Sequence, residues 1–259
     1  MLKDSNILEL DIESKLSELI QERLDLPQHL LFKAARYSLL SSGKRLRPIL
    51  TLATAQTFNT PLEYALIPAC AIEMVHTYSL IHDDLPCMDD DDLRRGIPTL
   101  HKVYDEAHAV LTGDYLLTYA FELLSTAPHL TSDQKLALVK TLSQHAGGSG
   151  MIGGQVMDMQ GSNDWEQMHL LKTASLMISA LEFGAIIGNC SPSDTTHLKT
   201  FGKQIGLAFQ IIDDILDNDM PPTARPKAEK LYSGALDSLQ QLSTPAPLLE
   251  QLAHKLVYR

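Results

Sequence analysis

Residues 83–92 read Asp83-Asp84-Leu85-Pro86-Cys87-Met88-Asp89-Asp90-Asp91-Asp92, six carboxylates in ten positions, with Arg94-Arg95-Gly96 close behind. A shorter run, Asp213-Asp214-Ile215-Leu216-Asp217, lies in an apolar stretch farther along the chain. Placed on a helix at about 100° per residue, Gly206, Gln210, Asp213 and Asp217 fall within about 60° of one another. Ile205, Phe209, Ile212 and Leu216 fill the adjoining sector. Two carboxylates one turn apart repel by roughly 1–4 kcal/mol at the effective dielectric of a surface or cleft, and a divalent cation removes that cost. Magnesium suits such a site because it takes few protein carboxylates and completes its shell with water and phosphate oxygens. An ordinary solvated acidic face has the same composition, so the apolar flanks and the presence of two clusters carry the metal reading.

In the first cluster Asp83 and Asp89 are six apart, which on an unbroken helix leaves them about 120° out of alignment. Pro86 interrupts the hydrogen-bond ladder between them, so the extra residues can bulge and let Asp89 turn back towards Asp83. His76 and Leu80 share the Asp83 face; His76 can project into the same space or serve as a satisfied core side chain. Arg94 and Arg95 can balance the acidic run, and guanidinium groups are also preferred partners of phosphate oxygens. A second basic cluster, Ser42-Gly43-Lys44-Arg45-Leu46-Arg47-Pro48, could aim Lys44 and Arg47 together or form a solvated turn.

Helices must position these groups. Leu8, Ile12, Leu16, Leu19 and Ile20 share one helical face, as do Leu30, Leu31, Ala34, Ala35 and Leu39, and later Leu231, Ala235, Leu239 and Leu242. Period-two runs rich in Val, Ile and Thr are absent, and no Asn-Gly or Asp-Gly turn joins two apolar segments. Breakers at Thr60-Pro61, Ile97-Pro98, Ala127-Pro128, Gly161-Ser162-Asn163, Ser191-Pro192 and Met220-Pro221-Pro222 divide the chain into bundle-length helices. The expected fold class is all-α, in one domain over residues 1–259. Gly147-Gly148-Ser149-Gly150 and Gly153-Gly154 follow no strand, so close helix approach explains them better than a phosphate cradle.

Of the 259 residues 44% are hydrophobic and the net charge is −11, which argues against nucleic acid as the main partner. The N-terminal residues lack a basic region followed by an apolar run, and the apolar stretch 176–190 is interrupted by Glu182, so no membrane partner is expected. Cys70, Cys87 and Cys190 have no metal or redox spacing, and the expected compartment is the cytoplasm.

Gly43-Lys-Arg-Leu-Arg-Pro48, the run from His76 to Gly96, Gly153-Gly-Gln-Val-Met-Asp158, Leu171-Lys-Thr173 and Phe209 to Asp217 occur in the order found in trans-isoprenyl diphosphate synthases, and the chain resembles that family from about residue 28 to 217. With two residues inserted between its aspartates, the first motif resembles that of the bacterial farnesyl diphosphate synthases. The resemblance implies the isoprenoid-synthase helical bundle with a central cavity, usually a homodimer. It implies Mg2+ as cofactor, three ions with diphosphate bound and Mn2+ as a substitute, held by Asp83, Asp89 and Asp213 with Asp84 and Asp217 in support. Arg94, Lys172 and Gln210 would hold the allylic diphosphate, and Thr173 would sit beside the cationic carbon. Gly43, Lys44, Arg47, His76 and Arg95 would bind isopentenyl diphosphate. Product length in the family is set by bulk just before the first motif, here Tyr78 and Ser79, which implies growth to fifteen carbons.

The sequence departs from the family's pattern in two places. After Asp217 the family continues through a Gly-Asp loop, a Gly-Lys pair and a Lys-x-Thr-Tyr segment; here Asn218-Asp-Met-Pro-Pro-Thr223 leads almost directly into Ala224-Arg-Pro-Lys227. Segments are thus missing or shortened near 220, and near 161 in the same way, including lysines that help bind diphosphate. These departures favour as an alternative a non-catalytic prenyltransferase-like partner subunit; a geranylgeranyl or longer-chain diphosphate synthase is the other alternative. A cyclising terpene synthase would not need the basic cluster at 43–48.

Overall fold

Asp4 starts the first helix by accepting from the backbone N–H groups of Asn6 and Ile7, both at 3.0 Å. In the computed structural model, which describes residues 3–258, helix follows helix from there. They are α1 (Ser5–Leu19), α2 (His29–Leu39), α3 (Leu46–Thr57), α4 (Leu62–Asp83), the single turn α5 (Leu100–Val103), α6 (Glu106–Thr126) and α7 (Ser132–Ala146). Then come α8 (Met151–Met159), α9 (Trp165–His169), α10 (Ser175–Ile187), α11 (Pro192–Leu216), α12 (Arg225–Gln240) and α13 (Pro247–Val257). A π-helical turn, Leu170–Ala174, joins α9 to α10 without a break, and a 3₁₀ turn, Pro222–Ala224, leads into α12.

The breakers fall where the helices end. Pro61 caps α4, Ser191 caps α11 with Pro192 in its first turn, and Pro221 and Pro222 separate α11 from α12. Leu8, Ile12 and Leu16 of α1, Ala34, Ala35 and Leu39 of α2, and Ala235 and Leu239 of α12 are buried as their periodicity requires. Leu30 is not, and sits at the solvent-facing start of α2.

The all-α expectation holds with one exception. Leu93–Arg94 pairs antiparallel with Ile97–Pro98 through a tight turn whose central residues, Arg95 and Gly96, have φ of 56° and 82°. Two left-handed residues are what a two-residue hairpin needs, and Arg95-Gly96 supplies them where Asn-Gly or Asp-Gly would be the usual signal.

The centre of the bundle is α3, α4 and α10, with α10 packed against α3, α4, α7 and α11. Every residue of α3 from Pro48 to Gln56 is buried, and so are nearly all of α10. The stretches Leu62–Asp83 and Trp165–Ile187 are long and apolar enough to cross a membrane, but most of each is covered by neighbouring helices. Central position accounts for their composition: each fully buried Leu, Ile or Phe contributes about 1.5–3 kcal/mol.

Candidate active site

The acidic end is built where α4 stops. Pro86 ends the ladder, Met88 N–H bonds Leu85 O at 2.8 Å, and Asp90 adopts φ of 51°. The chain thereby doubles back, and Asp89 N–H donates to Asp83 O at 2.9 Å. This is the return of Asp89 towards Asp83 that the two inserted residues imply. Asp83 faces a cavity, and burial pushes its carboxyl up to about 6; Lys172 pulls against that shift and Asp89 adds to it. Asp84 points the other way. It is buried, accepts from Arg94 Nε at 2.8 Å and from a second Arg94 N–H, and Arg94 also donates to Asp91 at 2.8 Å. Asp84 and Arg94 therefore form a strut beneath the acidic loop and do not line the cavity.

The second motif shows the same division. Asp213 lines the cavity from α11, Asp214 is buried behind it, and Asp217 caps the exposed end of the helix. Asp214 accepts from Trp165 Nε1 at 2.9 Å and from Gln210 Nε2 at 2.7 Å, while Gln210 Oε1 accepts from the Thr173 hydroxyl at 2.9 Å. Thr173 and Lys172 both lie in the π turn, a local widening of the helix often found at functional sites. Two glycines make room for that turn. A Cβ on Gly154 would sit 2.2 Å from Lys172 N, and one on Gly206 would sit 2.5 Å from Ala174 Cβ. Gly154 thus serves close helix approach, as its lack of a preceding strand suggests, and Gly206 does the same rather than opening a gap in the cavity. Lys172 is ion-paired with Asp158 of α8.

The basic end comes from the loop between α2 and α3, the middle of α4 and the Arg95-Gly96 turn. Arg45, with φ of 43°, turns inward: it pairs with Glu13 at 2.5 Å and Glu73 at 2.9 Å and donates to the carbonyls of Leu39 and Ser41. That buried knot fixes the loop, so Lys44 and Arg47 on either side line the cavity. Burial, aided by the nearby Arg95 and opposed by Glu73, brings Arg47 down to about 10, and its Nε has no hydrogen-bond partner among the described residues. The Arg95 guanidinium lies on Gly43, where a Cβ would be 2.5 Å from Nη1. Burial, then Arg47 and Arg95, push His76 well below the usual imidazole range, so it is neutral at pH 7.

These parts surround one cavity of about 1000 Å3. It brings together Gly43, Lys44, Arg47, His76 and Arg95 at the basic end; Asp83, Lys172, Thr173, Gln210 and Asp213 at the acidic end; and Tyr78 and Ser79 along α4. Leu117, Met151, Ile152, Val156 and Phe209 give it apolar walls. Asp89 and Asp217 are exposed outside the lining. Among the described residues no three His, Cys, Asp or Glu side chains converge as a ready-made metal cluster. The sequence reading missed Arg45, Asp114, Gln155 and Trp165; Gln155, which lines the cavity and whose buried Oε1 has no partner among the described residues, lies within the Gly153–Asp158 motif already noted.

The polyprenyl synthetase family matches residues 28–229. Farnesyl diphosphate synthase of Bacillus subtilis is 47% identical over 214 residues, 80% of this chain and 72% of that protein. The chloroplastic geranylgeranyl pyrophosphate synthase of Capsicum annuum is 45% identical over 197 residues, 73% of this chain and 53% of its own length. A crystal structure of an FPP/GFPP synthase from Zymomonas mobilis superposes with a TM-score of 0.92 at 38% identity, covering 98% of this chain and 97% of that one.

Proposed function

The chain belongs to the polyprenyl synthetase family, and on that footing we propose that it condenses isopentenyl diphosphate with dimethylallyl and geranyl diphosphates to give farnesyl diphosphate. One observation carries the reading: a single cavity that is lined by the cations Lys44, Arg47, Arg95 and Lys172 and by the carboxylates Asp83 and Asp213, and that also has apolar walls. Two charged head groups and two hydrocarbon tails need such a container.

At the basic end Lys44, Arg47 and Arg95, which all line the cavity, bind the isopentenyl diphosphate. Neutral His76 adds an N–H donor without adding to the crowded positive charge. At the acidic end the allylic diphosphate lies against Lys172. Magnesium fits there by the chemistry of the donors, the hard carboxylate oxygens of Asp83 and Asp213 that line the cavity. Asp83, Asp89 and Asp213 would hold it, with Asp217 behind. When bound, it neutralises the oxygens of the departing pyrophosphate. Gln210 and Thr173 face the carbon that becomes positive, and the apolar walls exclude the water that would quench it. Holding both substrates in one cavity replaces a bimolecular encounter. With the lysines that the family carries after its second motif missing here, Lys172, with Arg94 behind the acidic loop, supplies positive charge near that diphosphate.

The free thiols Cys70, Cys87 and Cys190 suit the cytoplasm. A homodimer suits the exposed Val110 and Leu111 of α6. Turnover tests the function: labelled isopentenyl diphosphate with geranyl diphosphate should yield a fifteen-carbon product that disappears on chelation of magnesium. A twenty-carbon product would make the chain a geranylgeranyl synthase. No product from any allylic starter would make it a non-catalytic subunit.

A further inference from the structure

Asp214, the second aspartate of the second motif, has both carboxylate oxygens occupied: Oδ2 by Trp165 Nε1 at 2.9 Å and Oδ1 by Gln210 Nε2 at 2.7 Å. Its main-chain oxygen accepts from Asp219 and Met220 at 2.8 and 2.9 Å, which ties down the chain reversal after α11. The residue is 9% exposed and does not line the cavity.

An indole N–H only donates and a carboxylate only accepts. Asp214 therefore determines which end of the Gln210 amide faces it, namely the NH2. The amide oxygen is then turned to Thr173, whose hydroxyl donates to it at 2.9 Å. With its proton committed to Gln210, Thr173 can offer only lone pairs to the cavity. A reversed amide would make Thr173 the acceptor and turn its proton outward. The two arrangements differ in the sign of the dipole beside a developing cation, where preoriented dipoles have their largest effect.

We propose that Asp214 and Trp165 are positioning residues that set this polarity, locking the Gln210 amide so that the Thr173 oxygen faces the cationic carbon. The inference rests on the prenyl-transfer reading and adds two residues which that reading leaves idle. Trp165 is itself held from outside the cavity. Lys227 Nζ lies 5.3 Å from its ring centroid and bonds Glu166 at 3.3 Å, and the His169 ring packs 4.6 Å away. Lys227 is in the first turn of α12, so the chain just beyond the shortened segment braces the relay.

The test compares wild type, Asp214→Asn, Trp165→Phe and the double variant with geranyl and isopentenyl diphosphates and magnesium, recording kcat, both KM values and thermal midpoints. An Asn amide can present NH2 to Gln210 and so frees its direction; Phe keeps the ring and removes the donor. Asp214→Asn is expected to lower kcat about tenfold or more with KM values within about twofold, Trp165→Phe to lower it less, and the double variant to lose no more than Asp214→Asn alone. Trp165 is the only tryptophan of the chain, so its emission should shift in ligand-free Asp214→Asn. Unchanged kcat, a loss confined to KM, additive losses in the double variant, or a loss that tracks a lowered thermal midpoint would each overturn the proposal. An inactive wild type overturns the prenyl-transfer reading instead; the emission then decides the relay, and an unshifted spectrum in Asp214→Asn overturns it.

Discussion

Arg45 and Arg47 stand two positions apart in one basic run, and backbone conformation sends them to different work. Arg45 is fully buried between Glu13, Glu73 and two carbonyls, whereas Arg47 lines the cavity. Removing one partner of a buried ion pair leaves the other charge without compensation. Arg45→Met strands Glu73, itself 1% exposed, and should cost about 3–5 kcal/mol in denaturant unfolding. Lys44→Ala, at an exposed position, should stay within about 0.5 kcal/mol of wild type and instead raise the KM for isopentenyl diphosphate. Equal stability of the two variants would mean that the buried knot does not hold the loop. Nothing in Gly-Lys-Arg-Leu-Arg marks the middle cation as structural, because the distinction comes from a φ of 43° and from Glu13 and Glu73, which lie far off in sequence. The aspartates divide similarly: Asp83 and Asp213 face the cavity, while Asp84 and Asp214 are buried behind them.

Helices set these orientations, and how far they could be read depended on the kind of signal each leaves. Periodic apolar faces and proline breaks gave the bundle's elements, and Pro86 gave the return of Asp89. The π turn at Leu170–Ala174 leaves no such mark, since one extra residue per turn changes neither composition nor the run of apolar side chains. The small hairpin was missed because Arg95 occupies a left-handed position usually filled by Asn, Asp or Gly. Behind the π turn three helices are joined by a polar cluster: His145 of α7 bonds Ser175 at 2.9 Å and Glu182 of α10 at 2.6 Å, and Lys199 of α11 bonds Glu182 at 3.0 Å. Burial would raise the Glu182 carboxyl, but the bonds from His145 and Lys199 outweigh it and hold it below the ordinary value of 4.5. A depressed folded value means that the carboxylate's contribution is complete above the unfolded value and is lost as pH falls through the folded one. Wild type should thus exceed Glu182→Gln by about 1–3 kcal/mol at pH 7, with the gap closing in acid below about pH 4.5. Unfolding curves across that range check it, and a gap independent of pH would show that the charge is not what joins the helices.

At the scale of the molecule, the bundle's contribution is a closed end. The cavity is bounded on the α4 side by Tyr78, which is 5% exposed and packs edge-on against His82 with ring centroids 5.7 Å apart. His82 is in turn seated on Gly113 of α6, where a Cβ would fall 2.1 Å from its Nε2, so the aromatic stack has little room to yield. On the proposed function, a growing prenyl chain whose diphosphate is held through magnesium near Asp83 and Asp213 would extend along the apolar walls until it met this stack. Tyr78→Ala removes the ring from the lining, and twenty-carbon or longer product should appear beside the fifteen-carbon one in product analysis with geranyl and isopentenyl diphosphates. The truncation also removes buried aromatic surface, at a cost of about 3–5 kcal/mol by analogy with other core aromatics, so the assay belongs well below the variant's melting temperature. Tyr78→Phe is the companion variant. It keeps the ring and deletes a hydroxyl that is buried without a partner among the described residues, so it should retain wild-type product length and close to wild-type stability. Fifteen-carbon product alone from Tyr78→Ala would move the limit on growth away from α4 and onto the α6 side, where Leu117 and Asp114 complete the lining.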